Sequence, residues 1–207
     1  MYRLFNVNSA CTNSQQVKAG KAREDIAAAM ECIDKVRNGP LKGNIYLESA
    51  NINTPFAIND RKLQDQCKAW QEKAANMLYK GSIESDESFF RFNLSAVHHE
   101  KAKSLLHWQR TRDDRKVVRS KLTTAMETLN PDLNVWRAYY YMTQARLELA
   151  DHDLEGSAQS AKAALKIARI MHSKMEEENV RQFYYQLSQQ AANNPYVSNL
   201  GVELGIF

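Results

Sequence analysis

The stretch 136–169, WRAYYYMTQARLELADHDLEGSAQSAKAALKIAR, constrains the fold more than any other part of the chain. Trp136, Tyr140, Thr143, Leu147 and Ala150 recur at three- and four-residue intervals, and Ala138, Met142, Ala145 and Leu149 form a second stripe beside them. Two adjacent, mainly apolar stripes predict a helix buried on most of its circumference. One polar row is left over: Arg137, Tyr141, Gln144 and Glu148. After a short polar turn, the next helix is rich in small residues, Ser157, Ala158, Ser160, Ala161, Ala163, Ala164 and Ala168. Small side chains let two helix axes approach closely, so the stretch reads as an antiparallel helical hairpin.

The breakers extend this pattern to the whole chain. Pro40, Pro55, Pro131 and Pro195 all stand between apolar-periodic runs, where a residue that cannot continue a helix belongs. A polar leader, 1–13, precedes a first helix over about 14–37 that is N-capped by Ser14 and has Ile26, Met30, Ile33 and Val36 inward. Helices follow over about 41–53, 60–80, 89–108 and 114–129, then the hairpin, then 175–192. The fourth has Phe90, Leu94, Val97, Ala102, Leu105, Leu106 and Trp108 inward. Residues 193–207 form a turn and an apolar tail. No alternation persists long enough for a sheet, so the expectation is an all-α single domain over 14–192, with about eight helices in antiparallel hairpins.

With 207 residues, 43% of them hydrophobic, the chain can bury a real core without metals or disulfides. No window of about 18 apolar residues and no signal-peptide core is present, which predicts a cytoplasmic protein with no membrane partner. Cys11, Cys32 and Cys67 are odd in number and form no CxxC pattern, as expected of reduced thiols. The net charge of +4 is spread over mixed helix faces. The run 110–121, RTRDDRKVVRSK, is the exception; it reads as a solvated turn between helices, because nucleic-acid binding needs a broader basic footprint or a recognisable module.

The segment DLEGSAQSAKAALKI resembles the second helix of a tetratricopeptide repeat. Ser157 stands at that family's small residue, Ala161 where an aromatic is usual, and Ala164-Leu165 at its small-apolar pair. In the preceding unit Val118 and Ala125 fall in the corresponding places, with Asn130-Pro131 near the family's terminal proline. Ala125 and Ala164 are 39 residues apart, against a usual period of about 34; Ala75 is a further match. The resemblance covers about 41–172 and implies hairpins stacked as a right-handed superhelix. The chain as a whole is similar to the C-terminal repeat domain of bacterial helix-turn-helix regulators. That similarity implies binding of a peptide, a protein or a DNA-binding domain in trans; with no helix-turn-helix in this chain, direct DNA contact is not expected.

Enzymatic constellations are not expected. His98-His99-Glu100 lacks the second histidine of HExxH, and Lys103 would repel a cation, so neither a metal nor another cofactor is expected. There is no GxSxG and no phosphate loop. Tyr139, Tyr140 and Tyr141 point about 100° apart on a helix and cannot form one stacking platform.

If the hairpins stack, the first helix of each lines a concave groove. The candidate ligand-binding residues are then Asn44, Glu48 and Asn51, next His99, Lys103 and His107, and finally Arg137, Tyr141 and Gln144. The amides would grip a ligand backbone, and Lys103 and Arg137 a carboxylate. The expected function is a non-enzymatic peptide- or protein-binding module of a regulator; the alternative is a scaffold within a larger assembly. Val202, Leu204, Ile206 and Phe207 of the tail either fold back as a cap or dock on a second copy to give a homodimer.

Overall fold

The structure, a computed structural model, describes residues 9–80, 92–108, 111–130 and 133–207; for 9–19, 79–80 and 134–135 it describes the backbone only. The chain is all-α, with no strand among the described residues. It divides into two compact units, Met1–Asn93 and Leu94–Phe207.

In the N-terminal unit, α1 (Ser9–Glu31) leads through a 3-10 turn (Ile33–Lys35) to α2 (Gly39–Asn53), and a second 3-10 turn (Thr54–Ala57) joins α2 to α3 (Arg61–Lys80). Helix α1 stops before the predicted 37, and only Ile33 of the predicted inner face is buried; Ile26, Met30 and Val36 are half-buried. Asn38 caps α2 by accepting from the Leu41 amide at 2.8 Å, with Pro40 in the first turn, a position where its missing N–H costs nothing. Helices α2 and α3 form a hairpin around Tyr46, Leu47, Ala50, Cys67 and Ala74. Gly43 is required there: a Cβ would stand 2.3 Å from the Phe92 ring. Cys67 is buried and free, its thiol pushed up to about 11 by burial, and Cys32 is exposed and free.

The C-terminal unit comprises three hairpins: α4 (Leu94–Trp108) with α5 (Arg112–Glu127), α6 (Asn134–Ala150) with α7 (Leu154–Ile170), and α8 (Lys174–Ala191) with α9 (Pro195–Glu203). They stack in order. Helix α6 packs on α5 and α4, α8 on α7 and α6, and α9 on α7, so the first helices α4, α6 and α8 form one layer. The fourth helix starts at Leu94 rather than 89, and the predicted inward Phe90 lies outside the described residues.

Helix α6 separates two cores, which explains its double stripe. Tyr140 and Leu147 face Ala102, Val118, Leu122 and Ala125 of α4 and α5. Met142 and Ala145 face Ala158, Ala161, Leu165, Phe183 and Leu187 of α7 and α8. The small residues of α7 do the work expected of them: Ser157 donates to the Ala145 carbonyl at 2.9 Å, a backbone contact that a bulkier side chain would prevent.

The predicted tail is instead a helix. Asn194 accepts from the Tyr196 and Val197 amides at 2.9 and 3.4 Å, and Pro195 opens α9. Val197, Leu200 and Leu204 join the α6–α8 core, and Ile206 packs partly against it.

Three helices of this unit end alike. In α6 the His152 amide donates to the Leu149 carbonyl and the Asp153 amide to that of Glu148. The same pair of bonds recurs at His172/Ser173 and Gly205/Ile206. The pivots have φ of 63°, 52° and 68°, the left-handed residue that closes such a helix end. Asp153 and Ser173 then cap the next helix, so one residue closes one helix and opens another.

Candidate functional site

The α4–α6 seam holds a line of buried polar groups. Ser95 donates to the Ala125 carbonyl at 2.6 Å. Its single proton being committed, it accepts from the Tyr140 hydroxyl, also at 2.6 Å. Burial pushes the Tyr140 phenol up to about 12, against the pull of the Ser95 hydrogen bond.

One turn further along α4, the His99 ring stacks on Tyr140 with centroids 4.3 Å apart, and its Nε2 lies 2.8 Å from the Thr143 hydroxyl. His99 is 3% exposed. Its pKa is lowered by burial first, and further by Lys103 and Arg146, against the opposing pull of Glu100. Burial raises the Glu100 carboxyl, but Lys103, 2.7 Å away, and His99 outweigh it and hold the group at about 2.

Beyond this seam the surface turns cationic. Lys103 is half-buried, and His107 and Arg146 are solvent-accessible. Both His107 and Arg146 are nevertheless lowered by desolvation, and His107 also by the charges of Lys103 and Arg146. Lys103, His107 and Arg146 thus lie close enough for their charges to act on one another. Lys103 is paired with Glu100, but Arg146 has no hydrogen bond or ion pair within the described residues, and feels Glu176 of α8 only through its field. The parallel course of α4 and α6 explains the gathering: His99 faces Thr143, so one turn on Lys103 comes level with Arg146, three residues after Thr143.

The sequence-based candidates separate into three groups. Asn44, Glu48 and Asn51 stand on α2 in the N-terminal unit, half-buried, with Asn51 donating to Glu48 at 3.2 Å. His99, Lys103 and His107 share one face of α4, with His99 at its buried end and His107 at its open end. Arg137, Tyr141 and Gln144 share a face of α6, but not the one that meets α4. At about 100° per residue, Gln144 lies about 100° and Tyr141 about 160° round the helix from Thr143. Gln144 donates to Glu148 at 2.8 Å, and Glu148 accepts from Ser160 of α7 at 2.6 Å; Tyr141 packs against the α7–α8 core.

Arg146 is the residue that sequence reasoning missed. It sits between the two apolar stripes of α6, and its position on the His99 side became visible only with the Thr143 contact. The run 110–121 is used within the fold: Arg115 and Arg119 both bind Asp151 at the end of α6, and Lys116 pairs with Asp113 at 2.8 Å. Thr111 and Asp114 cap α5 reciprocally.

No helix among the described residues is long and apolar enough to cross a membrane. No protein-family model, curated protein or solved structure matches the chain.

Proposed function

We propose that the protein is a non-enzymatic interaction module that holds a peptide or protein segment on the α4–α6–α8 layer, with an acidic group of that segment seated between Lys103, His107 and Arg146. The observation that carries this reading is Arg146: an exposed guanidinium with no hydrogen bond or ion pair among the described residues, near enough to Lys103 and His107 for their charges to interact. Glu100 pairs with Lys103, so among the described residues the unpaired positive charge at the seat is the Arg146 guanidinium, which suits a carboxylate. The regulatory setting implied by the repeat resemblance, a sensory part that answers a peptide or protein, is consistent with such a seat.

An array of acidic and neutral dodecapeptides tests it. Acidic peptides should bind to the wild-type chain, and Arg146→Ala with Lys103→Ala should weaken them more than tenfold, while Arg137→Ala leaves them unchanged. Retained binding in the folded double variant would defeat the reading, and loss through Arg137→Ala alone would move the seat to the opposite face of α6.

A further inference from the structure

Unit Met1–Asn93 contains a cleft of about 740 Å³. Helices α1 and α3 both pack on α2, and the cleft opens between them over Asn53. Its walls are apolar: Ile26 and Met30, one turn apart on α1, and Leu63 and Trp70, two turns apart on α3. All four are half-buried, so apolar surface stays in water along about 10 Å of helix. That length matches two turns of a docked helix.

The rim decides the charge of the occupant. Arg23, the cation among the lining residues, is already engaged: its Nε donates to Asn53 Oδ1 at 3.0 Å, and its guanidinium lies 4.4 Å from the Phe56 ring centroid. Glu24 and Glu31 also line the cleft, exposed and without an ion pair among the described residues. They stand seven residues apart, two turns along one face of α1. Arg23 keeps its charge in these contacts, so the lining carries one guanidinium against two carboxylates, a net of −1, and the two carboxylates, which have no ion pair among the described residues, are spaced at a helical repeat.

We propose that this cleft docks an amphipathic helix of a partner protein, apolar on one face and carrying two basic side chains seven residues apart that meet Glu24 and Glu31. The apolar face fills the space between Ile26, Met30, Leu63 and Trp70, and the basic pair fixes direction and register. The site is separate from the acidic-group seat of the C-terminal unit and stands or falls independently of it.

The probe is an 18-residue synthetic helix with leucines at i, i+3, i+4 and i+7 and flanking lysines seven residues apart; its control has glutamates in place of the lysines. Titration calorimetry on the full chain should give at least tenfold tighter binding for the lysine peptide, weakening with added salt. Glu24→Lys with Glu31→Lys, both exposed and neutral to the fold by circular dichroism, should reverse the order of the two peptides. Trp70→Ala should weaken the lysine peptide about tenfold in a chain that still melts cooperatively. Equal affinities for the two peptides, no binding of either, or an order unchanged by the charge reversal would overturn the proposal. A doubled solution mass of the wild-type chain that Trp70→Ala returns to monomer would overturn it in favour of a second copy.

Discussion

His99 and Thr143 join the first helices of two successive hairpins through a 2.8 Å contact between Nε2 and the hydroxyl, with both groups buried. The bond sets the register of α4 on α6, and so brings Lys103 level with Arg146. Thr143→Val keeps the shape and removes the partner, which leaves a buried imidazole nitrogen unsatisfied. The expected loss is about 1–3 kcal/mol of stability, measurable as a lower urea midpoint with an unchanged slope.

The same seam makes the protein acid-sensitive in two steps. The pKa of His99 is lowered in the fold, so the unfolded chain binds the extra proton first. Its contribution is complete above about 6.5 and is lost as pH falls below that value. Glu100 is held at about 2 against an ordinary 4.5, so its contribution is lost as pH falls from about 4.5 towards 2. Melting temperature against pH should therefore decline first below about 6.5. His99→Gln should flatten that first limb and, since His99 also helps hold Glu100 low, make the second shallower; an unchanged first limb would count against burial of a neutral His99.

His152 and His172 hold left-handed backbone at helix ends where Gly205 serves in the third instance. A side chain there costs about 1 kcal/mol that glycine avoids, although glycine also loosens the unfolded chain. His152→Gly and His172→Gly should each be neutral to stabilising by up to about 1 kcal/mol, and His152→Val clearly destabilising. Thermal denaturation of the three variants checks the order.

Gly201 shows the opposite constraint. A Cβ there would stand 2.6 Å from the Phe207 ring and 2.7 Å from the Tyr184 hydroxyl. Gly201→Ala should cost about 1–3 kcal/mol by overpacking, although alanine is the better helix former. Leu200→Ala, in the core under α9, should cost about 2–5 kcal/mol. A tail that merely lay on the surface would tolerate both.

The sequence carried the helices and their burial well where periodicity is strong. The double stripe of α6 and the small residues of α7 foretold a helix between two cores and a close hairpin. It misplaced the tail because Asn194-Pro195 looks like a stop after α8 and is equally a start for α9: proline both ends one helix and opens the next. For the candidate site, the shared face of His99, Lys103 and His107 was legible because i, i+4 spacing fixes it. The matching face of α6 was not legible. The polar row at Arg137, Tyr141 and Gln144 looked like the free surface, yet its end, Glu148, is buried against Ser160. Which polar face of a helix is free depends on the neighbours around it, and a single helical wheel does not contain them.

The most direct test of the acidic-group seat is the titration of the His107 ring, followed by NMR. In the free protein His107 should titrate below 6.5, because desolvation and the cations Lys103 and Arg146 oppose its charge. Saturation with an acidic peptide should raise that pKa, since the bound carboxylate offsets both cations. Arg146→Ala should raise it in the free protein and abolish the further shift. A His107 titration unchanged by acidic peptides that bind the chain would contradict the seat between Lys103, His107 and Arg146.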